Sequence, residues 1–181
     1  MSTEARSALR TFNPARIKFL HAVVTRGAIH TDDKFFNNPV QPVRTNINVS
    51  ATFGFNTSQN LVRVMIQSSF FGLSSEGEPV GITGTYEINF QMTVDNMDEF
   101  IIRSDDGKEM FNHQIAVVMV SVAYSTARGM VLERTLGTIM GGVFLPVVDA
   151  NALLVPSEGT PQAPEPSSSA EPTPKKAAKK K

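Results

Sequence analysis

The chain has 181 residues, no cysteine, and 17 basic residues against 17 acidic ones, for a formal net charge of zero. That length predicts one domain, in which a body of roughly 155 residues buries ~68–70% of its unfolded surface. Without Cys, a disulfide framework, a thiolate metal site and a cysteine nucleophile are all excluded, and the balanced charge argues against a folded nucleic-acid binder, which carries a basic face.

Residues 1–15 are a polar extension containing Glu4, Arg6 and Arg10. They lack the apolar core of a signal peptide. No apolar run is read as long as the roughly 20 residues that span a bilayer, so a soluble cytoplasmic protein is expected. A first strand is predicted over residues 16–30. Ile17, Phe19 and Val23 fall on one face and Leu20, Ala22 and Val24 on the other. Apolar residues on both faces point to a sheet centre or a subunit contact.

Residues 31–42 form a loop rich in breakers: Asp32, Asp33, Asn37, Asn38, Pro39 and Pro42. Phe35 and Phe36 sit inside it. They either pack on their own sheet or help line a binding groove. Residues 43–55 read most cleanly. Val43, Thr45, Ile47, Val49, Ala51, Phe53 and Phe55 share one face, while Arg44, Asn46, Asn48, Ser50 and Thr52 share the other. Period two with one wet face marks an antiparallel strand.

A turn over residues 56–60 leads to a third strand at 61–72, with Val62, Val64, Ile66, Phe70 and Phe71. A second turn precedes a fourth strand at 84–94. Tyr86, Ile88, Phe90, Met92 and Val94 face one way, and Glu87, Asn89, Gln91 and Thr93 the other. Short turns make strands two to four a meander, and the longer loop before strand two argues against a simple hairpin from strand one. Residues 95–110 give no clear period, and Asp105-Asp106-Gly107 breaks the chain.

Residues 111–136 are ambiguous. Ile115, Val117, Val118, Val120 and Val122 suit a strand by β-branching. The run is too long for an ordinary strand, and Ile115, Val118, Met119, Val122, Thr126 and Met130 make a helical stripe. Gly137 to Gly142 ends it, and Asp149 is a reasonable N-cap for a short helix at residues 150–154. From residue 156 the chain is Pro, Ser, Ala, Glu and Lys without apolar period, a composition that predicts disorder. Its closing lysines serve either solubility or an electrostatic tether to an acidic partner.

A search for chemistry finds little. His21, His30 and His113 match no metal motif, and the pairs Asp32-Asp33 and Asp105-Asp106 supply too few converging oxygens for a cation. No phosphate loop, dinucleotide fingerprint or nucleophile elbow occurs. No catalytic residue, metal or cofactor is expected, and the chain is not expected to be an enzyme.

Three passages carry a resemblance. They are Val40-Gln41-Pro42-Val43-Arg44-Thr45-Asn46-Ile47, the run from Gln114 through Tyr124, Ala127 and Arg128, and Leu145-Pro146-Val147-Val148-Asp149-Ala150-Asn151-Ala152-Leu153. In order and spacing, after four strands, they resemble the SecB family of export chaperones over residues 16–155, with Val40 where an aromatic is usual. The resemblance decides residues 111–136 in favour of a helix. It implies an α+β fold: a four-stranded antiparallel sheet with a long and a short C-terminal helix on one face. It further implies an ATP-independent chaperone that holds unfolded client polypeptides or preproteins. The client-binding residues it implies are Phe35, Phe36, Val40, Ile47, Val49, Phe53, Phe55, Leu145, Val147 and Leu153. It also implies a homotetramer built as a dimer of dimers, with contacts through Val23, Val118, Val122, Tyr124 and Met130.

The chain departs from the family where export members dock the SecA motor through acids on the outer sheet. Here strand one offers Arg26 and Gly27, and strand four offers Phe90, with Glu87 on the opposite face. Direct delivery to SecA is therefore not expected. A chaperone serving a toxin–antitoxin pair or one dedicated client fits at least as well. The alternative is an adaptor or structural subunit that binds a single partner.

Overall fold

The computed structural model describes residues 14–104 and 107–154. The extension at residues 1–13, the Asp105-Asp106 pair and the tail from residue 155 lie outside them. Four long strands form one antiparallel sheet: β1 (Ile17–Thr31), β2 (Arg44–Asn56), β3 (Leu61–Leu73) and β4 (Pro79–Val94). Their spatial order is β1-β4-β3-β2, so β1 and β2 are the two edges. A small hairpin of β5 (Ile101–Arg103) and β6 (Glu109–Phe111) follows. The helices are α1 (His113–Thr135) and α2 (Ala150–Leu154).

The meander from β2 to β4 forms because its turns are chemically specified. Asn56 Oδ1 accepts from the Gln59 amide at 3.2 Å, and Asn60 then adopts a left-handed φ of 52°, a conformation Asn tolerates better than most residues. Ser74 Oγ accepts from the amides of Glu76 and Glu78, and Gly77 supplies the positive φ that closes the next turn. β4 begins five residues earlier than the alternation at 84–94 suggests. Gly81 and Gly84 blur the pattern, and both are required where they stand. Gly81 has a φ of +71° and lies under the Phe35 ring, while a Cβ at Gly84 would meet the Phe70 ring.

Pairing puts the even-numbered residues of β3 and β4 on one buried face. Val62, Val64, Ile66, Phe90, Met92 and Val94 are among the core residues there. Ile47, Val49, Ala51, Phe53 and Phe55 of β2 continue this face by register. On β1 the expected alternation fails. Register shifts between Phe19 and His21 and between Val24 and Arg26 change the phase twice. Ile17, Phe19, Ala22 and Val24 therefore share the helix side, opposite Val94, Met92, Phe90 and Ile88, while Val23 pairs with Asn89 on the outer side. Each bulge turns an odd-numbered inner face into an even-numbered one or back. β1 is an edge, so the sheet-centre expectation is corrected.

The long apolar segment is a helix. Asn112 caps it, its side chain accepting from the Gln114 and Ile115 amides at 3.0 and 3.4 Å. Its buried stripe is Ile115, Ala116, Met119, Val120, Ala123, Ala127 and Val131. The expected stripe was rotated, for Val118 and Val122 point outward. Alanines at 116, 123 and 127 add little to an apolar pattern, yet they let the helix approach the sheet closely. At 23 residues, α1 is also long and apolar enough to cross a membrane by length and composition. That corrects the expectation that no such run exists. Part of its apolar character is accounted for by the face it buries against the sheet.

After α1 the chain turns at Gly137 to Gly142 and returns along the helix. Buried Thr135 holds this reversal. Its Oγ1 donates to Val131 O at 2.8 Å and accepts from the Val143 amide at 2.7 Å. Arg128 Nε donates to Leu145 O at 3.0 Å, and Tyr124 Oη donates to Pro146 O at 2.6 Å. Asp149 then caps α2, accepting from the Asn151 amide at 2.9 Å. α2 lies against α1 and β2. The helix layer thus covers β2, β3 and β4 and leaves β1 partly open.

Candidate functional site

The strongest candidate is an apolar strip along the inner face of β2. β2 pairs with β3 alone among the described residues, so its other edge carries a row of unpaired backbone groups. Thirteen residues at ~3.3 Å each make the strip about 40 Å long. Along it Ile47, Val49, Phe53 and Phe55 are half-buried rather than closed into the core.

At one end the strip ends in an aromatic cluster. Phe111 of β6 lies between Phe53 and Phe55, with ring centroids 5.2 and 5.6 Å away, and Phe100 stands 6.5 Å beyond. Leu153 and Leu154 of α2, which lies against β2, are half-buried and pack on the core. Ile102 and Met110 of the β5–β6 hairpin are exposed. Phe111 was missed in the sequence because the segment before α1 has no readable period.

At the other end lies the crossover loop. It must pass from one sheet edge to the other, across the ends of β4 and β3. Three contacts hold it down: Asp32 N donates to Gly81 O at 2.7 Å, Val43 N donates to Leu73 O at 2.9 Å, and Pro42 packs on Gly72. Phe35 seats its ring over Gly81. That anchors the loop and leaves its neighbour Phe36 71% exposed, with Val40 and Val43 also exposed. The two alternatives for this Phe pair are thus divided: one ring docks on its own sheet, the other is free.

Other expected site residues scatter. Val147 is 84% exposed on the return segment, whereas Leu145 is 1% exposed and belongs to the core, not to an open wall. Of the expected contact residues, Val23, Val118 and Val122 are exposed. Tyr124 is buried on its bond to Pro146 O, and burial pushes its hydroxyl above the usual tyrosine range. Met130 lines a cavity between α1 and β1.

No group of His, Asp or Glu among the described residues converges as a metal site. His113 Nε2 lies 3.2 Å from Asn151 Oδ1, a link between the two helices. Glu87 is on the outer face. Bonds from Thr25 Oγ1 at 2.6 Å and Gln67 Nε2 at 3.2 Å, with Arg26 nearby, hold its carboxyl below the usual range. Phe90 faces the core, as expected. The arrangement offers apolar surface and an open strand edge.

Architecture and site together define an α+β protein with a helix-backed antiparallel sheet and a partly open apolar edge. That architecture is SecB-like. It is similar to the Mycobacterium tuberculosis Rv1957 SecB-like chaperone, solved in complex with a ChAD peptide from the Rv1956 HigA1 antitoxin. The overlay covers 81% of this chain and 97% of that one, with a TM-score of 0.54 at 12% identity. A protein of unknown function from Streptococcus agalactiae overlays 72% of this chain and 97% of its own, with a TM-score of 0.35 at 11% identity. No family model matches the sequence, and no curated protein matches it.

Proposed function

We propose that the chain is a chaperone that holds unfolded polypeptide along β2 without nucleotide. The observation that carries this reading is the strip itself: Ile47, Val49, Phe53 and Phe55 half-buried, flanked by exposed Phe36, Val40 and Val43. Apolar contact is non-directional and accepts many sequences. The open edge of β2 adds backbone hydrogen bonds to an extended client, the sheet-addition mode of peptide recognition. The likeness of fold to a SecB-like chaperone seen with an antitoxin peptide supports a polypeptide as the ligand and favours one dedicated client over general export. On this reading the protein works in the cytoplasm. It assembles through β1 and the outward face of α1, where Val23, Val118 and Val122 are exposed, and several strips on one oligomer retain a long client by avidity. Delivery to SecA is not part of the proposal, because Glu87 is, among the described residues, the lone acid at the centre of the outer sheet.

The test is aggregation of a chemically denatured client on dilution, with the protein at stoichiometric amounts and no nucleotide. Delayed aggregation of several unrelated clients supports general holding. Activity on one client alone supports the dedicated reading. A protein that binds one folded partner and delays no aggregation is an adaptor, and the holding proposal fails.

A further inference from the structure

β2 and β3 carry no acid, and Arg44 and Arg63 are the charged residues on them. Arg63 is exposed on the outer face, between the buried Val62 and Val64, and forms no ion pair among the described residues. Opposite it on β2 stands Gly54. A Cβ built on Gly54 would meet nothing within 4 Å. No side chain therefore separates Arg63 from the open edge of β2, and Thr52 and Asn56 flank this gap on the same face. A shallow cavity of about 270 Å³ opens there, lined by Gly54, Asn56, Gln59 and Arg63 among others. Glycine inside a strand weakens it and often marks close approach by a ligand. The fold itself does not require Gly54, since a side chain has room and the backbone has no positive φ there.

We propose that Arg63 and the gap at Gly54 form a carboxylate subsite, which takes an acidic side chain from a polypeptide strand added to the β2 edge. The subsite rests on the sheet-addition mode of holding and names the client it favours: an alternating segment, apolar inward, with an acid outward opposite Gly54. Side chains of an added strand alternate between faces. Those opposite Phe53 and Phe55 face inward, so the one between them faces outward. Arg63 lies two strands in from that position, about 10 Å away. Arginine and glutamate side chains close that span together, across a glycine and not across a bulkier residue. Asn56 Oδ1 already accepts from Ser58 Oγ at 2.7 Å and the Gln59 amide at 3.2 Å, so what Asn56 offers an anion is its amino group. The nearby acids are engaged elsewhere. At this end of the sheet Asp95 pairs with Lys18 at 3.1 Å, and Glu109 pairs with Arg103 at 3.2 Å. Glu87 of β4 accepts from Thr25 and Gln67. His21 shares the row of Arg63, beyond Gln91, and is never negative. Arg44 is no part of the subsite, for it pairs with Leu73 beside the turn that carries Glu76 and Glu78.

The probe is a capped, fluorescein-labelled peptide of alternating Val and Thr, with one central Thr replaced by Glu, Gln or Lys. Its anisotropy is followed at low salt with the full-length protein. The Glu peptide should bind about 2- to 5-fold more tightly than the Gln peptide, and the Lys peptide more weakly than either. Arg63→Gln should erase the difference between Glu and Gln while the Gln peptide binds as before. Gly54→Val, which fills the gap, should erase it too, and a thermal scan should show both variants folded. Added salt should remove the preference for Glu and leave the apolar binding. Equal binding of the three peptides overturns the subsite and leaves the holding proposal standing, as does a preference for Glu that survives Arg63→Gln. Failure of all three to bind removes sheet addition at β2, and the subsite with it.

Discussion

Phe36→Ser separates client holding from folding. Phe36 is 71% exposed, so the fold buries little of its ring. Fully burying a Phe side chain is worth about 1.5–3 kcal/mol. The exposed share leaves ~1–2 kcal/mol for a client that covers the ring, which corresponds to a roughly 5- to 30-fold change in Kd. The substitution should leave stability within ~0.5 kcal/mol of the parent, as surface changes usually do. A short, singly binding unfolded peptide followed by fluorescence anisotropy is the suitable assay, because a long client would hide the loss behind avidity. Thermal unfolding of the same sample gives the control. An unchanged Kd refutes the role of the crossover loop in the strip. A melting temperature lower by many degrees refutes the premise, since Phe36 would then be a core residue.

Thr135→Val keeps the shape of a fully buried side chain but removes the acceptor of the Val143 amide. The stranded N–H should cost ~1–3 kcal/mol. For a chain of this size that lowers the melting temperature by about 2–4 °C per kcal/mol. Thr135→Ser, which retains the oxygen, should recover most of the loss in the same scan. Tyr124 gives a pH signature. Its folded value is raised by burial, so the folded state keeps a proton that the unfolded chain gives up near pH 10. The stability from this group is whole below that value and is lost as pH rises through the folded one. Ultraviolet titration should show Tyr124 ionising late, and Tyr124→Phe should flatten the alkaline decline in stability. A decline unchanged in that variant would assign it to other groups.

β2 was legible because it sits at the margin of the core. One face meets apolar residues and the other meets water, so Ile47, Val49, Phe53 and Phe55 alternate without exception against Asn46, Asn48 and Thr52. α1 was legible as an element only through the resemblance, and its orientation was not legible. Its buried face is part alanine, while Val118 and Val122, apolar by composition, point outward. Phe35 and Phe36 are adjacent and chemically identical. Only the seat over Gly81, contributed by another strand, decides which ring docks and which is free.

The sequence by itself determined the antiparallel meander and its turns, while the long helix was decided only with the help of the resemblance to a known family. The meander follows from local spacing, since period two and Asn and Gly at turns act within a few residues. Tertiary structure alone decided that two register shifts reset the faces of β1, that Leu145 enters the core, and that the helix layer stops short of β1. Each of those outcomes depends on partners far away in the chain, and a bulge without Gly or Pro leaves no local mark.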